Sequence, residues 1–392
     1  MPTAATTAGG TAQSTRPNGR AQAVTAVVPF IRASAEHREP TGIDVSRQLT
    51  TSDQDLGVFD VPAYGYVRNI VLLVTASGGT GGAPAVTLSE DAPFSAIKNI
   101  ALTEPNGATL SQFNSGHDLM LANKWGGYRD ANGADPKASP VHVAPTTSGA
   151  GFSFLVRIPV EMNIRDGLGS LPNQNAAATF KLRLTLAAAA QALGTGTLPT
   201  TLPTVRVRAY LEAWDQPEAA TAGATNQTTP PAMNTTQFWS SQVYNYNAGQ
   251  QTIRLTRVGN YLRNMIFVLR RGGTSRANGQ VDLPDPTTLY LDTRPLDIIE
   301  PNNWRNQMFE RTGFGGAVGT NVPALDSPNG LDAGVYVYDF MHEFDGSLGR
   351  ETRDLWMPTL GSSRLEIQGS FAQAGTLTVL TNDVAIAGPV FM

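Results

Sequence analysis

The sequence predicts an all-β protein built from two tandem β-sandwiches, and three observations carry that reading. One strand-like stretch occurs twice, segments of period two recur along most of the chain, and helix signals are rare. YVRNIVLLV at residues 66–74 is matched by YLRNMIFVL at 261–269, which lies 195 positions later, about half of the 392-residue length. Tyr66, Arg68 and Asn69 recur as Tyr261, Arg263 and Asn264. Five of the other six positions are aliphatic in both copies, and the sixth pairs Leu72 with Phe267. Gly78-Gly79-Thr80 follows the first copy and Gly272-Gly273-Thr274 the second. Three identities over nine residues can arise by chance, but the half-length offset and the shared glycine turn make two related domains the working hypothesis.

Length supports that hypothesis, because 392 residues exceed what one hydrophobic core usually serves. Hydrophobic residues make up 41%, while charged residues make up only 15%, against about a quarter in an ordinary soluble domain. Thr, Ser, Asn, Gln, Ala and Gly take the place of charge. Two readings of this are open: a surface meant for neighbours, or compositional drift in a GC-rich genome, which the excess of Arg over Lys also fits. The absence of cysteine excludes disulfides, thiolate nucleophiles and cysteine-held metals. A net charge of -4 argues against a dedicated nucleic-acid binder, which needs a basic face. No apolar run approaches the roughly 20 residues that span a bilayer. The opening MPTAATTAGG lacks the basic-then-apolar order of a signal peptide, so the chain is expected to stay in the cell that makes it.

Residues 1–50 are expected to form a flexible N-terminal arm. Pro2, Pro17, Pro29 and Pro40 punctuate it, and neither period two nor period 3.6 persists. Arg16, Arg20 and Arg32 meet no acid before Glu36. They suit an anionic surface such as phospholipid headgroups, and a flexible, solvated terminus or an arm lying on a neighbouring subunit is the plainer alternative.

A first sandwich is expected over 51–214. GFSFLVRIPVEM sets Phe152, Phe154, Val156, Ile158 and Val160 on one face; TFKLRLTL alternates Phe180, Leu182, Leu184 and Leu186 with polar residues. TVRVRAYLEAW does the same with Val205, Val207, Ala209 and Leu211. Successive strand side chains point to opposite sides, so this pattern is that of half-buried antiparallel strands. The Pro-, Thr- and Ala-rich segment 215–236 reads as a linker, and its sequons at Asn226 and Asn234 read as coincidence.

A second sandwich is expected over 237–392, from QTIRLTRV, NYLRNMIFVLRR, TTLYLDT, GVYVYDF, SRLEIQGSF and GTLTVLTND. EPNNWRNQMFERTG predicts a helix, with Pro301 at its first position, Trp304 and Met308 on one face and Gly313 ending it. GHDLMLANKWGG at 116–127 is a second, short candidate. The repeated strands are apolar on both faces, Ile70 to Val74 and Met265 to Leu269. A sister domain, a helix or a neighbouring subunit must therefore cover their outer sides, and two sandwiches standing side by side would do so.

The chemistry-bearing residues do not converge on a catalytic pattern. His37, His117, His142 and His342 lack partners at metal-ligand spacing, and Asp118 beside His117 has no serine elbow to serve. GFGGAVG at 313–319 puts Val318 where a dinucleotide fingerprint needs glycine, and GGTGGAP at 78–84 lacks the lysine of a phosphate loop. Trp239, Tyr244 and Tyr246 could line a sugar groove, though core and interface aromatics is the plainer reading. Neither catalytic, metal nor cofactor-binding residues are expected.

Two stretches carry a family likeness: SEDAPFSAIKNIALTEPNGATL, and LDTRPLDIIEPNNWRNQMFERTGF with its Asp-Thr-Arg and Trp-containing helix. With the two all-β halves, the repeated strand and the arm, they resemble the double-jelly-roll major capsid proteins of tailless, membrane-containing tectivirus-type bacteriophages. The resemblance implies two tandem eight-stranded jelly-roll β-sandwiches with one or two short helices. It implies a major capsid protein made in the host cytoplasm that forms pseudo-hexagonal homotrimers. These would tile an icosahedral virion shell around an internal membrane, beside penton or minor capsid proteins and without direct nucleic-acid contact. Tower loops are expected at 125–150, 272–286 and 313–333. The family's helical, Gln-rich N-terminus has no counterpart here, because Pro17, Gly19 and Pro29 oppose a long helix. A phage spike or carbohydrate-binding double β-sandwich is the alternative, and a hydrolase with a loop-built site a third.

Overall fold

The computed structural model describes residues 26–79, 89–128, 151–163, 165–194, 198–221, 224–231, 233, 235–272, 275–319, 325–341 and 353–386. The chain enters through β1 (Ala26–Val28) and α1 (Phe30–Ala33). The first half then holds β2 (Glu36–Gln48), β3 (Gln54–Asp60), β4 (Tyr66–Ser77), β5 (Ile97–Thr103), β6 (Thr109–Phe113), α2 (Gly116–Trp125), β7 (Phe152–Pro159), the short β8 (Leu171–Pro172), β9 (Lys181–Leu186), α3 (Ala189–Leu193) and β10 (Thr204–Trp214). Sheet order is β2-β10-β4-β7 on one side and β3-β9-β5-β6 on the other, which makes an eight-stranded sandwich.

β11 (Ala220–Thr221) and β12 (Ala224–Asn226) lie between the halves. The second half holds β13 (Thr236–Tyr246), β14 (Gly249–Leu255), β15 (Tyr261–Arg271), β16 (Ser275–Arg276), α4 (Gly279–Asp282), β17 (Thr287–Leu291), β18 (Arg294–Ile299), α5 (Pro301–Thr312), β19 (Val335–Asp339), β20 (Met357–Pro358), β21 (Leu365–Phe371) and β22 (Gly375–Ala385). Its sheets run β13-β22-β15, continued by β19, and β14-β21-β17-β18. Strand for strand, the second sandwich repeats the first: β13 stands for β2, β15 for β4, β18 for β6, β22 for β10.

The expected strand faces are those buried. Phe152, Phe154, Val156 and Ile158 on β7, Leu182, Leu184 and Leu186 on β9, and Val205, Val207, Ala209 and Leu211 on β10 all enter the core. α5 starts on Pro301 and ends at Gly313, whose φ of 74° is a left-handed cap that favours glycine.

Three expectations are corrected. The arm is not loose through residue 50: β2 is paired along its length with β10, and Phe30 is buried edge-on against Tyr66 and Trp214. The segment 215–236 is not a plain linker either. β12 pairs antiparallel with β11 and parallel with β1, so the entry strand and the crossover fasten one another. Asn226 is buried there and its side-chain amide donates to the Glu218 carbonyl, while Asn234 lies outside the described residues.

The third correction concerns how the halves meet. They do not press outer face to outer face. β6 pairs in parallel with β13, Ser111 opposite Trp239 and Gln112 opposite Ser240, so one sheet of each sandwich joins into a continuous sheet. One hydrophobic core then runs through both halves. Edge pairing satisfies backbone hydrogen bonds that face packing would leave to solvent.

Candidate functional site at the joint between the sandwiches

The repeated motif builds the same backbone irregularity twice. On β4, Val67 opposes Ala213 and Asn69 opposes Glu212, so Arg68 is an extra residue. On β15, Leu262 opposes Asp383 and Asn264 opposes Asn382, so Arg263 is the extra one. A bulge of this kind bends the strand and re-aims a side chain. Each bulged residue also turns its carbonyl to the strand beyond: Val160 N–H donates to Arg68 at 3.1 Å and Phe340 N–H to Arg263 at 2.9 Å.

Both guanidinium groups are buried. Arg68 Nε donates to Glu161 Oε2 at 2.8 Å, and its guanidinium lies 4.1 Å from the Trp214 ring centroid. Trp214 Nε1–H donates to the other Glu161 oxygen at 2.8 Å. Burial pushes the Glu161 carboxyl above its usual range, with Arg68 opposing. Arg263 donates to Asn382 Oδ1 at 2.7 Å and to Gln237 Oε1 at 3.1 Å. The Gln237 amide nitrogen in turn donates to the carbonyls of Val160 and Glu161, across the boundary between the halves.

α2 is the wedge at that boundary. All ten of its residues are buried, because it has a sandwich on each side. Ser115 caps its start, accepting from His117 N–H. Toward its own sandwich, Asn123 makes two hydrogen bonds with the backbone of Arg157 on β7. Toward the other, Asn264 donates to the Trp125 carbonyl at 3.0 Å and Ser241 to Asp118 Oδ2 at 2.8 Å. Trp239 on β13 is buried beside Phe113, ring centroids 5.9 Å apart, and close over Gly126.

An ionic cluster runs along the same joint. Asp91 receives Arg270 at 2.6 Å and Arg276 at 3.0 Å, with His117 Nε2 at 3.5 Å. Arg276 also pairs with Asp326, and its backbone N–H donates to Glu90. Lys124 pairs with Asp332 at 2.9 Å, and Trp125 Nε1–H donates to the same carboxylate. Burial alone would raise Asp91, but the charges of His117, Arg270 and Arg276 hold it far below the usual carboxylate range. Asp118 lacks so much positive charge, and burial pushes it up to about 6. Buried pairs of this kind cost desolvation and mainly select one geometry. The cluster therefore fixes how one sandwich sits on the other.

The expected site residues are scattered rather than gathered. Arg32 is exposed in the last turn of α1, and Arg16 and Arg20 lie outside the described residues. His117 and Asp118 belong to the joint, His37 stacks on Tyr64, and His142 and His342 lie outside the described residues. Among the described residues no group of three acidic or histidine side chains is placed to hold a metal, and no helix is long and apolar enough to cross a membrane. The sugar-groove reading fails: Trp239 faces α2, whereas Tyr246 stacks on Phe371 inside the second sandwich, because the two sit on opposite faces of β13. Of the expected tower segments, 125–150 is mostly outside the described residues, while Arg276, Asp326 and Asp332 anchor parts of 272–286 and 313–333 in the joint. Sequence reasoning missed this cluster, although the identical Arg and Asn of the repeat marked the two bulges.

No protein-family model matches the chain, and no curated protein matches it. Solved structures do. The STIV MCP aligns over 90% of this chain and 97% of its own at 11% identity and a TM-score of 0.59. The major capsid protein P2 from bacteriophage PM2 aligns over 91% and 100% at 13% identity and 0.51. PBCV-1 VP54, fitted into a reconstruction of the virophage Sputnik, aligns over 90% and 93% at 12% identity and 0.56. All three are double-jelly-roll major capsid proteins. The fold is the double jelly roll. In its terms the nine-residue repeat is one strand of each roll, β4 and β15, and the joint just described is the seam between rolls.

Proposed function

We propose that this chain is a major capsid subunit whose work is self-assembly. It forms homotrimers of pseudo-hexagonal outline that tile an icosahedral virion shell, and it is made in the host cytoplasm. One observation carries the reading: the likeness to viral coat proteins extends over both rolls and nearly the full length of the chains compared. The low charged fraction of 15% supports it, since subunits that meet over wide faces gain from little self-repulsion. An internal membrane belongs to the same reading, with Arg16, Arg20 and Arg32 directed to anionic headgroups, and penton or minor capsid proteins filling the vertices. Native mass measurement and electron microscopy of the purified protein test it. The expected species has three times the 41.6 kDa of the chain, or is a larger shell. A protein that stays a single chain at all concentrations overturns the proposal.

A further inference from the structure

The two rolls carry counterpart helices, α2 between β6 and β7 and α5 between β18 and β19. They differ in what covers them. α2 fills the seam and lies on the outer face of the sheet β13-β22-β15-β19, where Asn264, Ile266 and Val268 are buried beneath it. On the counterpart sheet β2-β10-β4-β7, Asn69, Val71 and Leu73 hold the same positions. That outer face remains partly open: Leu73 is half-buried, and Leu155, its cross-strand partner, is 40% exposed. α5, for its part, buries Trp304 and Met308 in its own roll and leaves Asn306, Phe309 and Glu310 exposed on its outward side. Phe309 is 51% exposed there, beside an open groove of about 470 Å³ that is also lined by Gly315 and Leu331.

The joining edges show the same asymmetry. Within the chain β6 meets β13. Among the described residues their counterparts, β18 and β2, each stand at the end of a sheet, and Ile298 on β18 is 62% exposed. We propose that β18 and α5 of one copy dock on β2 and the outer face of β2-β10-β4-β7 of the next copy, repeating between chains the seam that β6, α2 and β13 make within one. Such a head-to-tail contact generates a ring in which rolls of the same chain and rolls of neighbouring chains alternate, and three chains supply six rolls. This rests on the self-assembly reading and names its interface.

Because the chain contains no cysteine, paired cysteines report the contact cleanly. Leu73→Cys combined with Phe309→Cys, treated with a short bis-maleimide, is expected to give covalent dimers and trimers, while either substitution alone gives none. Phe309→Asp and Leu155→Asp are each expected to turn the trimer into a folded single chain, by native mass and circular dichroism. If the double variant does not cross-link and both aspartate variants keep a threefold mass, the contact lies elsewhere although self-assembly stands. If the unaltered protein has the mass of one chain, the capsid reading falls and takes this contact with it.

Discussion

Arg68 and Arg263 are joined through two intermediaries. Arg68 holds the Glu161 side chain, the Glu161 carbonyl accepts from the Gln237 amide, and the Gln237 oxygen accepts from Arg263. The same residue of the repeat thus anchors each roll and, through this chain, ties one roll to the other.

Breaking the first link is expected to be costly. Arg68→Met leaves Glu161 buried without its partner charge, a change worth about 3–5 kcal/mol. Adding Glu161→Gln is expected to recover a good part of that loss, since no unpaired charge remains. Urea unfolding of the two variants at pH 7 measures both numbers. A double variant as unstable as the single one would contradict the pairing.

The middle of the link has a different signature. Gln237→Leu removes one acceptor of Arg263, which keeps Asn382, and the donor to Val160 and Glu161, without deleting a charged group. A loss of about 1–3 kcal/mol is expected from the buried groups left unsatisfied. Amide hydrogen exchange should show the added opening concentrated along β6, β13 and α2. Uniform loss of protection across both rolls would speak against a seam-specific role.

At the seam, Trp239→Ala is expected to cost about 3–5 kcal/mol, the usual range for emptying a buried tryptophan site. Trp304→Ala empties a comparable site inside the second roll, where its indole N–H donates to the Val337 carbonyl. The seam variant should separate the melting of the two rolls into two calorimetric transitions, and the Trp304 variant should lower the second roll alone. A single transition in the Trp239 variant would show the rolls do not depend on that contact.

Asp118 gives the chain a pH dependence of definite sign. Burial holds its acid form up to about pH 6, above the ordinary carboxylate value of 3.8. The folded chain therefore binds that proton more tightly than the unfolded one, and the group's contribution is lost as pH rises from about 4 through 6. Asp118→Asn is expected to raise the melting temperature at pH 7.5 relative to the unaltered protein and to narrow the difference at pH 4.5. Asp91 acts oppositely: its lowered value makes it fully stabilising above about pH 4, and that contribution is lost progressively as pH falls further. An Asp118→Asn variant less stable at pH 7.5 than at pH 4.5, relative to the unaltered protein, would reverse the assignment.

For the arm, basic residues near an anionic bilayer contribute about 1 kcal/mol each. Replacing Arg16, Arg20 and Arg32 together by alanine is expected to weaken binding to phosphatidylserine vesicles by about two orders of magnitude. Binding to phosphatidylcholine vesicles should be weak in both proteins. Equal sedimentation of the two proteins with anionic vesicles would remove the membrane from the arm's role.

Much of this architecture was legible locally. The period-two runs around Phe154, Leu184 and Val207, the Pro301 start and Gly313 stop of α5, and the repeat at Tyr66 and Tyr261 all act within one strand or one helix. Backbone geometry forces such patterns into the sequence itself. The doubly apolar β15 even announced that something lies against its outer side, but not what, whereas the same pattern on β4 meets an outer face that stays partly open. Only the tertiary structure decided that α2 covers β15, that β6 meets β13 edge to edge, and that Asp91 lies between Arg270 and Arg276. Those partners are far apart in the chain, and pairing energy between such residues depends on distance in space and on excluded water, neither of which leaves a periodic trace along the polypeptide.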